Sequence, residues 1–205
     1  MPCSAVGCDF FDIVAGDDTL NVALVDVSGK GISAAILAAT LQGMLYVQLQ
    51  TQQSLESIAA AANRYLCNKD VGKYATMLLL RLHEDGVLEY INCGHIQPRI
   101  CSGTEVVRLE TANLPVGLFD DAEYAAGVTT LRPGWRVVLV SDGLTEAENE
   151  QGDFFGEERL DSAVLCSDLQ RVLENMVAYS SGHPASDDCT IVQVAYSGRV
   201  KKQDG

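Results

Sequence analysis

The sequence predicts an α+β fold in which antiparallel sheets are covered by helices, and two observations lead there. Short strand-like runs in the middle of the chain are joined by tight turns, above all by Asp85-Gly86 in HEDG, a dipeptide that favours a hairpin. Helix-period segments gather before and after that region, at about residues 31–68 and 157–179. Strands grouped by hairpins pair antiparallel, whereas a doubly wound parallel sheet needs a helical crossover at every step.

The first expected strand is Leu20–Asp26, LNVALVD, an apolar run that ends in an acid and is followed by the turn-like SGKG. Residues 31–50, GISAAILAATLQGMLYVQLQ, carry a helix pattern of small and apolar residues. Their Gly, Ser, Thr and Gln make a poor lipid-facing surface, so a buried helix is expected there and no membrane span. A second helix is predicted from Ser54 to about Asn68, with Ser54 as its cap and Leu55, Ile58 and Ala62 on one face. Tyr74–Leu82 and Val87–Asn92 follow as the hairpin strands, then short strands near Arg99–Cys101, Val106–Leu109, Val128–Leu131 and Arg136–Val140. Helices near Glu157–Leu165 and Asp168–Tyr179 and a closing strand over Thr190–Tyr196 complete the order, and the polar tail SGRVKKQDG is expected to fray.

A chain of 205 residues with 47% apolar residues, 18 glycines and 5 prolines has enough apolar surface for one globular core. Seven cysteines without a CxxC pair argue against a disulfide framework and against a zinc site. The start of the chain lacks a charged stretch followed by an apolar run and a cleavage site, so a cytoplasmic protein is expected. A formal net charge of −14 disfavours nucleic-acid partners, whose affinity rests largely on Lys and Arg contacts with phosphate.

Acidic residues recur where apolar strand runs are expected to give way to loops: Asp9 and Asp12 in GCDFFD, Asp26 in DVSGKG, Asp142 in SDG, and Asp187-Asp188 in DDCT. One such acid is an ordinary turn former or helix cap. Several that converge at one sheet end form a cluster whose repulsion calls for cations, and carboxylates with carbonyls and water suit Mg²⁺ or Mn²⁺.

The ordered set GCDFFD, DVSGKG, NCGHIQP, PVG, SDGLTEA, FGEERL and DDCT resembles the SpoIIE/RsbU branch of the PPM-type (protein phosphatase 2C-like) metal-dependent serine/threonine phosphatases, from about Val6 to Tyr196. The resemblance implies an α-β-β-α sandwich, two antiparallel sheets flanked by helices, with two divalent cations, Mn²⁺ or Mg²⁺, at one edge. It assigns Asp26 as the bridging ligand, the Val27 carbonyl as a further ligand, and Asp142 and Asp187 to the other cation, these acids also being the catalytic set. Asp9 and Asp188 fall outside the direct ligands as supporting groups. The implied reaction is hydrolysis of phosphoserine or phosphothreonine on a regulatory protein, by direct attack of a water held between the cations.

The same resemblance implies residues 1–198 as one phosphatase domain lacking its first strand and any N-terminal sensor domain, with 199–205 as a flexible tail. An anti-sigma-factor antagonist is the kind of phosphoprotein partner it suggests, and a homodimer is compatible with it. It further suggests that the helices over residues 31–68 act as a switch on Asp26, with Ala34, Ala35, Ala38, Ala39 and Gly43 allowing close helix contact. Two departures stand out: Gly7-Cys8 replaces the common Gly-Gly before Asp9, and Ser28 occupies the place of a histidine found in wider relatives. Lys30 reads as a solvated rim charge, His95 as a structural histidine, and His83 and His183 as turn residues.

A nucleotide-binding loop is excluded by spacing, since Leu24 stands where such a loop needs its first glycine and Gly31 where it needs Ser or Thr. A non-catalytic relative that only binds a signalling partner and a different metal-dependent phosphoesterase are the remaining alternatives.

Overall fold

The structure, a computed structural model, describes residues 8–69, 72–110, 113–165, 169–181 and 188–198. Among the described residues nine strands and five helices follow one another as β1 (Asp9–Ala15), β2 (Thr19–Val27), α1 (Ile32–Leu49), α2 (Leu55–Lys69), β3 (Ala75–His83), β4 (Val87–Cys93), β5 (Arg99–Cys101), β6 (Val106–Arg108), β7 (Gly127–Thr130), β8 (Arg136–Val140), α3 (Asp142–Thr145), α4 (Gly156–Val164), α5 (Leu169–Tyr179) and β9 (Ile191–Ala195). One sheet runs β1-β2-β3-β4-β7 and the other β6-β5-β8-β9, and every strand pair is antiparallel.

Alternation along the strands sorts their side chains into three apolar layers. Val22, Leu24, Leu78 and Leu80 meet Val137, Leu139, Val192 and Val194 between the sheets. The opposite parity on the first sheet, Ala23, Val25, Met77 and Leu79, packs under Leu37, Leu41 and Leu45 of α1 and Leu55, Ile58 and Leu66 of α2. On the far side of the second sheet Val138 and Val140 pack under Leu160 and Val164 of α4 and Val172 and Met176 of α5. The result is the expected α-β-β-α sandwich.

Ser54 caps α2 as expected, accepting the Ser57 backbone N–H at 3.3 Å. Gly86 turns the β3–β4 hairpin at φ +90, where a Cβ would meet the Leu131 carbonyl oxygen at 2.6 Å. Three expectations need correction. Asp9–Ala15 is a full strand and Asp12 lies inside it opposite Ala23, with Oδ1 accepting from Gln42 of α1, so Asp12 marks no strand end. His83 closes β3, with Nε2 2.6 Å from Glu89 Oε1, and is not in the turn. Helix α1 is long and apolar enough to cross a membrane by length and composition, yet it buries only one stripe, Ala34, Leu37, Ala38, Leu41, Leu45 and Leu49, while Ile36 is 62% and Val47 63% exposed. His183 and Asp187 lie outside the described residues.

The second sheet is tied to α4 by a charged cluster. Arg99 is fully buried; its Nε donates to Asp161 Oδ1 at 2.9 Å, its Nη1 to the Gln97 carbonyl at 2.6 Å, and its Nη2 to Glu157. Arg108 donates to Asp161 Oδ2 at 2.7 Å. Removing one partner of a buried cation leaves the charge uncompensated. Asp161→Ala should therefore lower unfolding free energy by about 3 kcal/mol in urea denaturation, and Glu157→Gln, on the more exposed side of the cluster, should cost clearly less.

Candidate metal centre

The register of β1 on β2 places Asp9 directly opposite Asp26, and the register of β2 on β3 places Asp26 opposite Thr76. These three share the parity of Leu24 and Leu78, so they stand abreast on the face that meets the second sheet. Strand β2 ends one residue after Asp26, which puts the row at the end of the sandwich. Beyond it the chain turns through Gly29 and Gly31, both at positive φ, +86 and +91, a conformation open to glycine.

That turn is held from below. Ser28 bonds Tyr74 through both its backbone and its side chain, Ser28 N donating to the Tyr74 carbonyl at 2.9 Å and Tyr74 N to Ser28 Oγ at 2.9 Å. Lys73 Nζ donates to the Ser28 carbonyl at 3.1 Å. Ser28 thus anchors the DVSGKG segment, whereas Lys30 is exposed on its rim.

The second sheet contributes from β8 and the segment before β9. Ser141 N donates to the Thr190 carbonyl at 2.9 Å, Ser141 Oγ donates to the Asp188 carbonyl at 2.9 Å, and Thr190 N donates to Ser141 Oγ at 2.8 Å. The SDG and DDCT motifs are therefore stitched together through one hydroxyl. Asp142 follows as the first residue of the single-turn helix α3, half-buried, its carbonyl accepting from Glu146 N at 2.8 Å and Thr145 Oγ1 at 3.0 Å.

Asp188 closes the ring. It is buried, and its Oδ2 accepts the Cys8 backbone N–H at 3.2 Å. The Cys8 side chain packs into the core under α1. Val27 N donates back to the Cys8 carbonyl at 3.4 Å. Four motifs distant in sequence thus meet around Asp9.

The electrostatics of Asp9 record the crowding. Burial, then the charge and hydrogen bond of Asp26, and lastly the charge of Asp188 push its carboxyl up to about 8, against a smaller downward pull from Ser141. Its Oδ2 is buried without a hydrogen-bond partner. Among the described residues no three acidic, His or Cys side chains form a finished ligand group. Asp9, Asp26 and Asp142 nevertheless offer only hard oxygen donors around an orphaned buried oxygen, a set that fits Mg²⁺ or Mn²⁺ and does not fit a soft metal.

His95 lies beside this row. Its Nδ1 is 2.7 Å from Thr76 Oγ1, and burial lowers its pKa to about 4 while the Val140 carbonyl favours the protonated ring. Sequence reasoning passed over Thr76, Ser141 and Lys73. Ser141 and the NCGH loop lay inside motifs already marked, but Thr76 and Lys73 carry no signal in the sequence.

The two-sheet sandwich with an acidic, oxygen-lined edge defines a protein phosphatase 2C-like domain. The chain belongs to the SpoIIE family, Stage II sporulation protein E, whose profile matches residues 16–197. It is similar to phosphoserine phosphatase RsbU of Bacillus subtilis, 26% identical over 183 residues that cover 86% of this chain and 54% of that protein. The fold matches the SiaA PP2C domain of Pseudomonas aeruginosa with a TM-score of 0.82 at 22% identity, over 95% of this chain and 83% of that one. It also matches RsbX in complex with magnesium, with a TM-score of 0.71 at 20% identity, over 93% and 87% of the two chains. The chain spans between 36% and 54% of the length of the curated relatives it matches.

Asp9 binds its proton more tightly in the folded state than its ordinary value of 3.8 allows, so its contribution to stability is full below about pH 4 and is lost as pH rises through about 8. In EDTA, Asp9→Asn should gain in melting temperature relative to the parent chain steadily from pH 5 to pH 9. A difference that stays constant over that range would contradict the crowded pair.

Proposed function

We propose that this chain is the phosphatase domain of a metal-dependent serine/threonine protein phosphatase that acts on a phosphorylated regulatory protein. The observation that carries the reading is the convergence of Asp9, Asp26, Ser141-Asp142 and Asp188 at one end of a SpoIIE-family sandwich. Asp26, the Val27 carbonyl, Asp142 and Asp187 are proposed to hold two divalent cations, and Asp187 lies outside the described residues. When bound, such cations neutralise the phosphoryl oxygens and supply a nucleophilic water.

The protein's own contribution is positioning. Asp26 is fixed in place because it sits in a strand paired on both sides, between Asp9 and Thr76, and cannot swing without breaking the ladder. Asp142 is set by Ser141, whose backbone and hydroxyl are both committed to the segment before β9. Asp9 retains a proton beside Asp26 and Asp188, and a divalent charge at this edge would favour its release. Asp188 is committed to the Cys8 N–H, which supports a holding role for it and leaves direct ligation to its neighbour Asp187.

The name of RsbU, phosphoserine phosphatase, supports phosphoserine as substrate, and magnesium in the RsbX complex supports a hard divalent cation. An anti-sigma-factor antagonist in the cytoplasm is the partner this reading proposes.

Millimolar Mn²⁺ should raise the melting temperature and support p-nitrophenyl phosphate turnover that EDTA abolishes. Asp26→Asn, Asp142→Asn and Asp187→Asn should each lower turnover by about 100-fold or more, and Asp188→Asn by about tenfold or less. Mn²⁺ binding without turnover on p-nitrophenyl phosphate or on a phosphoprotein would identify a non-catalytic relative instead.

A further inference from the structure

Helix α1 has a second apolar face, opposite the stripe it buries against the first sheet. Ile32, Ile36, Ala39, Gly43, Tyr46 and Gln50 are all exposed, and they recur at alternating steps of four and three, the spacing of a seam that packs against another helix. Ile32 is 76% exposed, and Val47 widens the seam beside Tyr46. Monomeric proteins seldom leave a contiguous apolar strip the length of a helix in water.

Charge, pattern and close approach together indicate what covers it. The run from Gly31 to Leu55 contains no charged residue, in a chain where 20% of residues are charged and the net charge is −14. A partner recognised through ion pairs finds no counterpart on this face. A helix lying on a membrane surface would carry Lys or Arg along its polar side, and anionic lipid repels so acidic a chain. Two copies of the chain can meet here because each is acidic everywhere except on this face. The seam is also self-complementary: its spacing reads the same from either end, with bulky residues outside and Ala39 and Gly43 in the middle. Laid antiparallel on itself, Ile36 meets Tyr46 and Ala39 meets Gly43, which is the matching that a two-fold axis requires. Gly43 weakens the helix relative to alanine, yet a Cβ there would meet nothing within 4 Å in this chain. Thr40 beside it donates its hydroxyl to the Ile36 carbonyl at 2.8 Å, so covering this stretch strands no donor.

We propose that the exposed seam of α1 is the interface of a homodimer in which the α1 helices of two copies pack antiparallel, closest at Ala39 and Gly43. The inference stands apart from the phosphatase reading. With 18 residues α1 is about 27 Å long, and two such helices packed along their length bury on the order of 1,000 Å² in total, the low end for a specific interface and the size of one that dissociates on dilution. Because α1 starts just after the DVSGKG turn, antiparallel pairing puts the acidic edges of the two copies at opposite ends of the dimer, each open to solvent.

Sedimentation velocity of the full chain over a dilution series tests it, with melting temperature as the check on folding. The chain should sediment as a dimer at about 100 μM and as a monomer at about 1 μM. Ile36→Glu and Tyr46→Lys should each weaken the dimer at least about tenfold, and the two together should restore it, because only the antiparallel register brings those positions face to face. Gly43→Leu should weaken association by a similar factor while the melting temperature of the dilute monomer holds or rises, since leucine favours a helix over glycine. That arm decides the matter even if a charged variant fails to fold. A chain that is monomeric at 100 μM overturns the proposal, whether or not it floats with lipid vesicles, and so does a dimer that none of these substitutions weakens. Weakened single variants whose combination stays monomeric overturn the antiparallel pairing.

Discussion

Two carboxylates placed directly opposite each other in a sheet are the constraint on which the rest of this molecule turns. Asp9 and Asp26 are cross-strand partners, and like charges in that relation destabilise the pair of strands that carries them. The β1–β2 ladder persists because the other residues of the register are strongly committed. Phe10 and Val14 of β1 belong with Ala23 and Val25 to the core beneath α1, and a slip of one residue would turn both strands inside out. The hydrophobic layer thus holds together what electrostatics would separate. The cost is localised at Asp9, which keeps a proton far above the usual carboxylate range. A fold that tolerates such a pair at its edge is stabilised by whatever positive charge comes there.

The second sheet is brought to this edge by backbone chemistry more than by packing. Ser141 extends the β8–β9 pairing past the last ladder residues, Val140 and Ile191, by bonding Thr190 in both directions. Its hydroxyl then takes up the Asp188 carbonyl, so that the carboxylate of Asp188 can reach across to the start of β1. The site is consequently shared between two sheets whose facing sides otherwise meet largely through apolar side chains. The bond from the Cys8 N–H to Asp188 fixes the end of the second sheet against the start of β1, and the contact of His95 with Thr76 fixes the loop after β4 against β3.

Much of the fold was legible because hydrophobic period and turn chemistry agreed. Leu20–Asp26, Arg99–Cys101 and Arg136–Val140 were expected within a residue or so of the strands found, and Ser54 began its helix. Strand β1 escaped notice because Asp9 and Asp12 interrupt DFFDIVA, and the reason Asp12 is tolerated, a hydrogen bond from Gln42 thirty residues away, is invisible to a local window. The same holds for Arg99, a charged residue that is fully buried because α4 returns Asp161 and Glu157 to it from about sixty positions on. Acids at strand ends drew attention to Asp26 and Asp142, but the pairing of Asp9 with Asp26 is a matter of register, and register between strands depends on the turn that joins them.

The neighbouring acids of DDCT show how a fold can divide two identical side chains between different tasks. Asp188 is buried and gives one carboxylate oxygen to a backbone N–H of the residue that precedes Asp9. A carboxylate so engaged has one fewer lone-pair direction to offer a cation, and moving it would release the start of β1. The same Cys8 also accepts from Val27 N, so the strand start is pinned to both the DVSGKG and DDCT segments at once. Geometry at Asp9 therefore follows from Asp188, and the site's acids are coupled through a backbone amide as well as through their charges. A substitution at Asp188 acts on the edge of the first sheet before it acts on any ligand, which separates its consequences physically from those of removing a charge at Asp26 or Asp142.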